Sequence, residues 1–110
     1  MSEGTDQRRI VPIACTLNAS DVPARLDEWR AFARQWVLEG ETRTAAARFR
    51  LAPGDEVLAA AASLAQREKE CCAFFDFAIS IDAHDRWLSV TVPSGAEQTL
   101  ADFAAMLVAP

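Results

Sequence analysis

Two cysteines stand side by side in Arg67-Glu68-Lys69-Glu70-Cys71-Cys72-Ala73-Phe74-Phe75-Asp76-Phe77, and a third, Cys15, lies far upstream. A disulfide wants Cα atoms about 4.4–6.8 Å apart, whereas neighbours across a trans peptide are held about 3.8 Å apart. Cys71 and Cys72 are therefore not expected to close easily on each other. Such a pair reads as two free thiols, a strained redox switch, or two soft donors aimed at one region of space. Thiolates suit mercuric, cuprous, zinc or arsenite species, and Cys15 could complete a three-sulfur site. The competing reading is packing, because cysteine is among the most buried residue types and behaves as a small hydrophobe.

Glu68 stands three residues before Cys71 and four before Cys72, on a helix face that otherwise reads apolar. A carboxylate buried alone is costly, so it needs a partner: an ion pair with Arg43 or Arg48, or a metal. Glu70 reads as solvated. His84, the only histidine, sits in a predicted turn with Asp82 and Asp85; a surface turn is the simpler reading and a weak metal site the other. With no oriented nucleophile, one histidine gives no support for hydrolytic catalysis, and no catalytic residue is assigned.

The elements that must position these residues follow from periodicity. Residues 1–9 read as a flexible tail, and 10–110 as a single domain, a size that supports one core. Val11, Ile13, Cys15 and Leu17 alternate as a strand with one buried face, and Pro12 suggests an edge or the first residues of the strand. Val22, Leu26, Trp29, Ala33, Trp36 and Val37 recur at helical spacing, with Asn18 to Asp21 as cap residues and Gly40 as the stop. Arg48 to Leu51 alternate as a strand, although Thr44 to Ala47 could be helix. Pro53-Gly54 breaks the chain, Asp55 can cap, and 55–73 form a second helix that carries Val57, Ala61, Leu64, Glu68 and the double cysteine along one side. On a helix, neighbours diverge by about 100°, so Cys71 and Cys72 should not both face the core squarely. Phe75, Phe77, Ile79 and Ile81 begin a hairpin that returns through Leu88, Val90 and Val92. Ser94-Gly95-Ala96-Glu97 fits a capping box opening a last helix that packs Leu100, Phe103, Ala104 and Leu107 inward. The expected architecture is α+β, a two-layer sandwich in the order β-α-β-α-β-β-α, with helices on one face of a four-stranded mixed sheet.

A net charge of −5 argues against a free-standing nucleic-acid binder, which carries a basic face. No apolar run reaches the roughly 20 residues needed to span a bilayer, and the polar start does not fit a signal peptide. A reducing cytoplasm is the expected location, where three cysteines are more readily free, metal-binding or redox-active than a structural framework.

Ile13-Ala14-Cys15-Thr16-Leu17, Arg25-Leu26-x-Glu28-Trp29 and Glu68-x-Glu70-Cys71-Cys72-Ala73-Phe74-Phe75-x-Phe77 together resemble a small bacterial family over almost the full chain. Its members occur alone or as an accessory domain behind the DNA-binding part of regulators of the mercury-resistance (MerR) type. Cys15, Cys71, Cys72, Glu68 and Glu70 match the family's cysteines and acidic positions, while Ala73 replaces the proline that many relatives carry. The resemblance implies association with heavy-metal or stress regulation. No helix-turn-helix segment is present, so direct operator binding is not expected.

The leading expectation is a cytosolic domain that binds or senses a soft metal or metalloid through Cys15, Cys71 and Cys72, with Glu68 in support. Its partners would be the ion and a regulator protein or a second copy of the chain. The alternatives are a thiol redox or sulfur-carrier protein and a non-catalytic interaction module with packed cysteines. Nucleophilic chemistry is the weaker option, because a helix C-terminus and neighbouring carboxylates raise a thiol's pKa.

Overall fold

The computed structural model describes residues 22–108, and side chains from Ala24 to Val108. The expected strand through Val11, Ile13, Cys15 and Leu17 lies outside the described residues. Within them the order is α1 (Val22–Trp36), β1 (Val37–Thr42), β2 (Ala46–Leu51), α2 (Asp55–Cys71), β3 (Asp76–Ile81), β4 (Arg86–Thr91) and α3 (Glu97–Val108). The four strands form one sheet in the order β1-β2-β4-β3. Every pairing among the described strands is antiparallel; the parallel pairing expected of a mixed sheet rested on the strand through Val11 to Leu17, outside them. The fold is α+β, with the helices over one face of the sheet.

Two hairpins, β1–β2 and β3–β4, meet at the centre of the sheet. There Ala46 to Leu51 pair residue for residue with Thr91 to Arg86. Strand–strand–helix therefore occurs twice in succession, β1-β2-α2 and then β3-β4-α3. The central strands alternate as a half-buried pair should. Ala47, Phe49 and Leu51 are buried on β2, and Leu88 and Val90 on β4, all against the helices. On the opposite face, Glu39 receives a hydrogen bond from Arg50 at 2.9 Å and Glu41 one from Arg48 at 3.2 Å. The Arg48 guanidinium also lies 4.0 Å from the Trp87 ring centroid.

The first helix stops earlier than its apolar stripe suggests. Trp36 ends α1, Val37 already pairs with Leu51, and the Trp36 carbonyl accepts the Ala52 N–H at 2.8 Å. Gly40, expected as the helix stop, sits instead within β1, against Val108 of α3. A Cβ there would lie 2.6 Å from Val108 Cγ1 and 2.8 Å from Phe49 Cδ1. The cap of α2 also differs from expectation. Gly54, at φ +135°, occupies the N-cap, a conformation that glycine adopts without a Cβ penalty. Asp55 and Glu56 fill the first turn, where negative charge complements the helix dipole. The box before α3 forms only in part: the Glu97 carboxylate accepts the Gly95 N–H at 2.8 Å, with Glu97 itself the first helical residue.

An aromatic core joins α1 and α3 to the β3–β4 hairpin. Trp29, fully buried, meets Phe103 edge-on at 4.9 Å and stacks on Phe77 at 6.2 Å. Phe75 bridges Phe103 at 5.2 Å and Phe77 at 5.7 Å. Aromatic pairs of this kind add about 0.5–1.5 kcal/mol each beyond their buried area. The phenylalanines after the double cysteine are thus structural, as their spacing suggested.

Candidate metal centre

The end of α2 delivers both cysteines to the core. Cys71 is the last helical residue, and Cys72 leaves the helix at φ −124°, ψ 80°. Because the helix ends between them, the divergence of helical neighbours does not apply, and both side chains are buried, at 5% and 7% exposure. The turn is held by the Cys72 N–H to the Glu68 carbonyl (2.6 Å) and the Phe75 N–H to the Cys72 carbonyl (3.1 Å). Lys69 reinforces it by donating to the Ala73 and Phe75 carbonyls, a cation placed where the helix dipole favours one.

Glu68 stands one turn before the cysteines. Its partner is neither Arg43 nor Arg48 but Arg25 of α1, whose Nη2 donates to Glu68 Oε1 at 2.9 Å. Trp29 Nε1 donates to the same oxygen, also at 2.9 Å. The two charged side chains retain only 13% and 12% exposure, and Arg25 Nε is buried without a hydrogen-bond partner. Arg48 instead pairs with Glu41 on the open face of the sheet. The reason is geometric. Glu68 and Arg25 each interrupt an apolar helix face, and the packing of α1 on α2 places the two interruptions against each other.

A carboxylate oxygen of Glu68, Cys71 Sγ and Cys72 Sγ all lie within 4.8 Å of one another. The two sulfurs are 3.7 Å apart, contact distance and not a bond. Cys72 is a free thiol. Cys71 is disulfide-bonded. Cys15, the third donor expected from the sequence, lies outside the described residues, so the described donors are Glu68, Cys71 and Cys72. The Cys72 thiol is pushed up to about 12, first by burial, then by the negative charge of Glu68 and the hydrogen bond it makes to that carboxylate, with Arg25 opposing. The direction matches the expectation of weak nucleophilicity, with burial as the leading cause.

The other candidates resolve simply. His84 is exposed in the β3–β4 turn. Asp82 Oδ1 there accepts the backbone N–H groups of His84 and Asp85, both at 2.7 Å. The Asp82 carboxyl is held below its ordinary range by those bonds, the one from Asp85 foremost, so its role is to close the turn. Glu70 is exposed and accepts a hydrogen bond from Gln66.

One feature absent from the sequence reading adjoins the cysteines. A cleft of about 350 Å³ between α1, α3 and the end of α2 is lined mainly by Leu26, Phe75, Phe103 and Met106, with Arg30, Thr99 and Asp102 also in its wall and Cys72 and Glu68 at its border. Its signal was present in the sequence only as separate helical stripes. Among the described residues, no helix is long and apolar enough to cross a membrane. No family model, curated protein or solved structure matches the chain, so the site rests on its own geometry.

Proposed function

We propose that the chain, once Cys71 is reduced, captures a thiophilic metal or metalloid ion between Cys71, Cys72 and Glu68. The sulfur separation is the observation that carries this reading. Two sulfurs bound at about 2.3 Å to one tetrahedral centre lie about 3.8 Å apart, against 3.7 Å here. A linear two-coordinate ion would need them roughly 4.6 Å apart at the same bond length. The spacing therefore favours zinc-like or arsenite-like centres over linear mercuric or cuprous coordination. Glu68 supplies an oxygen donor and already holds its position through Arg25 and Trp29.

Burial of the thiols makes the site a trap and not a nucleophile. Cys72 holds its proton at neutral pH, so binding must displace it, and affinity rises with pH as in other thiolate sites. Native mass spectrometry of the fully reduced chain, titrated with zinc and with arsenite, tests the reading. A one-to-one complex that disappears in Cys71→Ser and in Cys72→Ser is expected. Absence of any stoichiometric complex, or one indifferent to both substitutions, would refute it.

A second reading, thiol redox sensing, is favoured by the disulfide at Cys71 beside a free thiol. In this reading the oxidation state of Cys71 gates the site: oxidised chain does not take the ion and reduced chain does. The resemblance to accessory domains of metal-responsive regulators fits both readings, with a regulator protein as the partner that would read out occupancy.

A further inference from the structure

The cleft beside Cys72 has no role in holding a bare ion. Four apolar side chains, Leu26, Phe75, Phe103 and Met106, make up most of its wall, Arg30, Thr99 and Asp102 complete it, and Cys72 and Glu68 stand on its border. A zinc or arsenite ion bound at the sulfurs would leave that apolar space to water. A thiophilic centre that carries one small organic group would fill it.

We propose that the preferred ligand of the reduced site is a monosubstituted trivalent arsenical, R–As(OH)2, with arsenic bound by Cys71 and Cys72 and the apolar R group seated in the cleft. This rests on the metal-centre reading above. The step is a condensation: two As–S bonds form, two As–OH bonds break, and each thiol proton leaves with a hydroxide as water. Arsenic remains trivalent and nothing is oxidised or reduced. The one prior requirement is reduction of the Cys71 disulfide, which an added phosphine provides in the test. Arsenic keeps one substituent after taking two sulfurs, so a two-thiol site next to an apolar cleft matches its valence. A bare divalent ion has no such substituent to place.

The cleft is of a size for a phenyl ring or a smaller alkyl group. Burying a phenyl-sized group is worth roughly a ten- to hundredfold gain in affinity. The assay compares phenylarsine oxide with arsenite on the reduced chain, read as intact mass and as competition against dithiothreitol, whose two thiols have no cleft. The expected result is a preference for the phenyl compound over arsenite that exceeds the preference shown by dithiothreitol itself by roughly tenfold or more. Met106→Trp, which fills the cleft from α3, should abolish the excess while leaving arsenite binding in place. Leu26→Trp fills it from α1 and serves if the first variant does not fold.

Arsenite binding at the cysteines with no excess preference for the phenyl compound would overturn this inference and leave the metal-centre reading standing. An excess that survives in both cleft-filling variants would also overturn it. Failure of both compounds to bind in a cysteine-dependent way would overturn both readings.

Discussion

Replacing Glu68 by Gln tests how far the site depends on a nearly buried charge pair. The substitution keeps shape and removes the charge that compensates Arg25. Arg25 and Glu68 retain 13% and 12% exposure, and Arg25 Nε already lacks a partner, so Arg25 has little water to fall back on. Removing one member of a buried pair costs about 3–5 kcal/mol. The residual exposure argues for the lower end, about 3 kcal/mol. In a domain near 100 residues, a loss of that size lowers the melting temperature by about 12 °C or more. Trp29 Nε1 can still donate to the amide oxygen, so its hydrogen bond is not part of the loss. The measurement is urea unfolding of Glu68→Gln and of Glu41→Gln, whose pair with Arg48 is about half exposed on both sides and is expected to contribute less than about 1 kcal/mol. A Glu68→Gln loss below about 1 kcal/mol, no larger than that of the exposed control, would refute the assignment of Glu68 as the anchor between α1 and α2.

Three further outcomes follow from the same geometry. Cys72 deprotonates near 12 in the folded chain against an ordinary value of 9.0, so the unfolded chain loses this proton first. Its contribution to stability is complete below about pH 9 and declines as pH climbs from 9 toward 12, a slope that unfolding of reduced Cys72→Ala should lack. The same shift means that iodoacetamide should modify Cys72 at pH 7.5 orders of magnitude more slowly than a free thiol; a rate comparable to free cysteine would contradict the burial argument. Gly40→Ala presses a methyl group into Phe49 and Val108. It should cost about 1–3 kcal/mol by the usual price of overpacking, measured by thermal unfolding, and an unchanged melting point would show that α3 is free to shift away.

The sequence conveyed the elements that pack by their own periodicity. The β3–β4 hairpin, the core of the last helix and the span of α2 were legible from their apolar periodicity, although the face expected through Ile79 and Ile81 stays exposed. The strand β1 was not. From Leu38 to Thr42 all its residues are exposed, and its register depends on Glu39 and Glu41 meeting Arg50 and Arg48, pairs that no local pattern reveals. The apolar stripe of α1 runs on into Val37, and Gly40 imitates a helix stop, so the boundary falls where only the pairing with Leu51 defines it.

The candidate site was legible in part. The approach of Glu68 to the cysteines follows from helical spacing. Its pairing with Arg25 lies 43 residues away; Arg25 reads from the sequence as one of the solvated arginines of the helix, and only its position one turn before the buried Trp29 hints otherwise. That both cysteines are buried depends on where α2 ends, a point set by the turn through Ala73 to Phe75 and by Lys69. The cleft arises from three elements together and has no counterpart in any one of them.

The most direct test of the metal-centre account is X-ray absorption on the reduced chain loaded with one equivalent of zinc. The account predicts two sulfur scatterers at about 2.3 Å and at least one oxygen or nitrogen at about 2.0–2.2 Å, with the sulfur shell lost in the Cys71→Ser, Cys72→Ser double variant. A first shell made only of oxygen and nitrogen, or a sulfur shell unchanged in that variant, would contradict it.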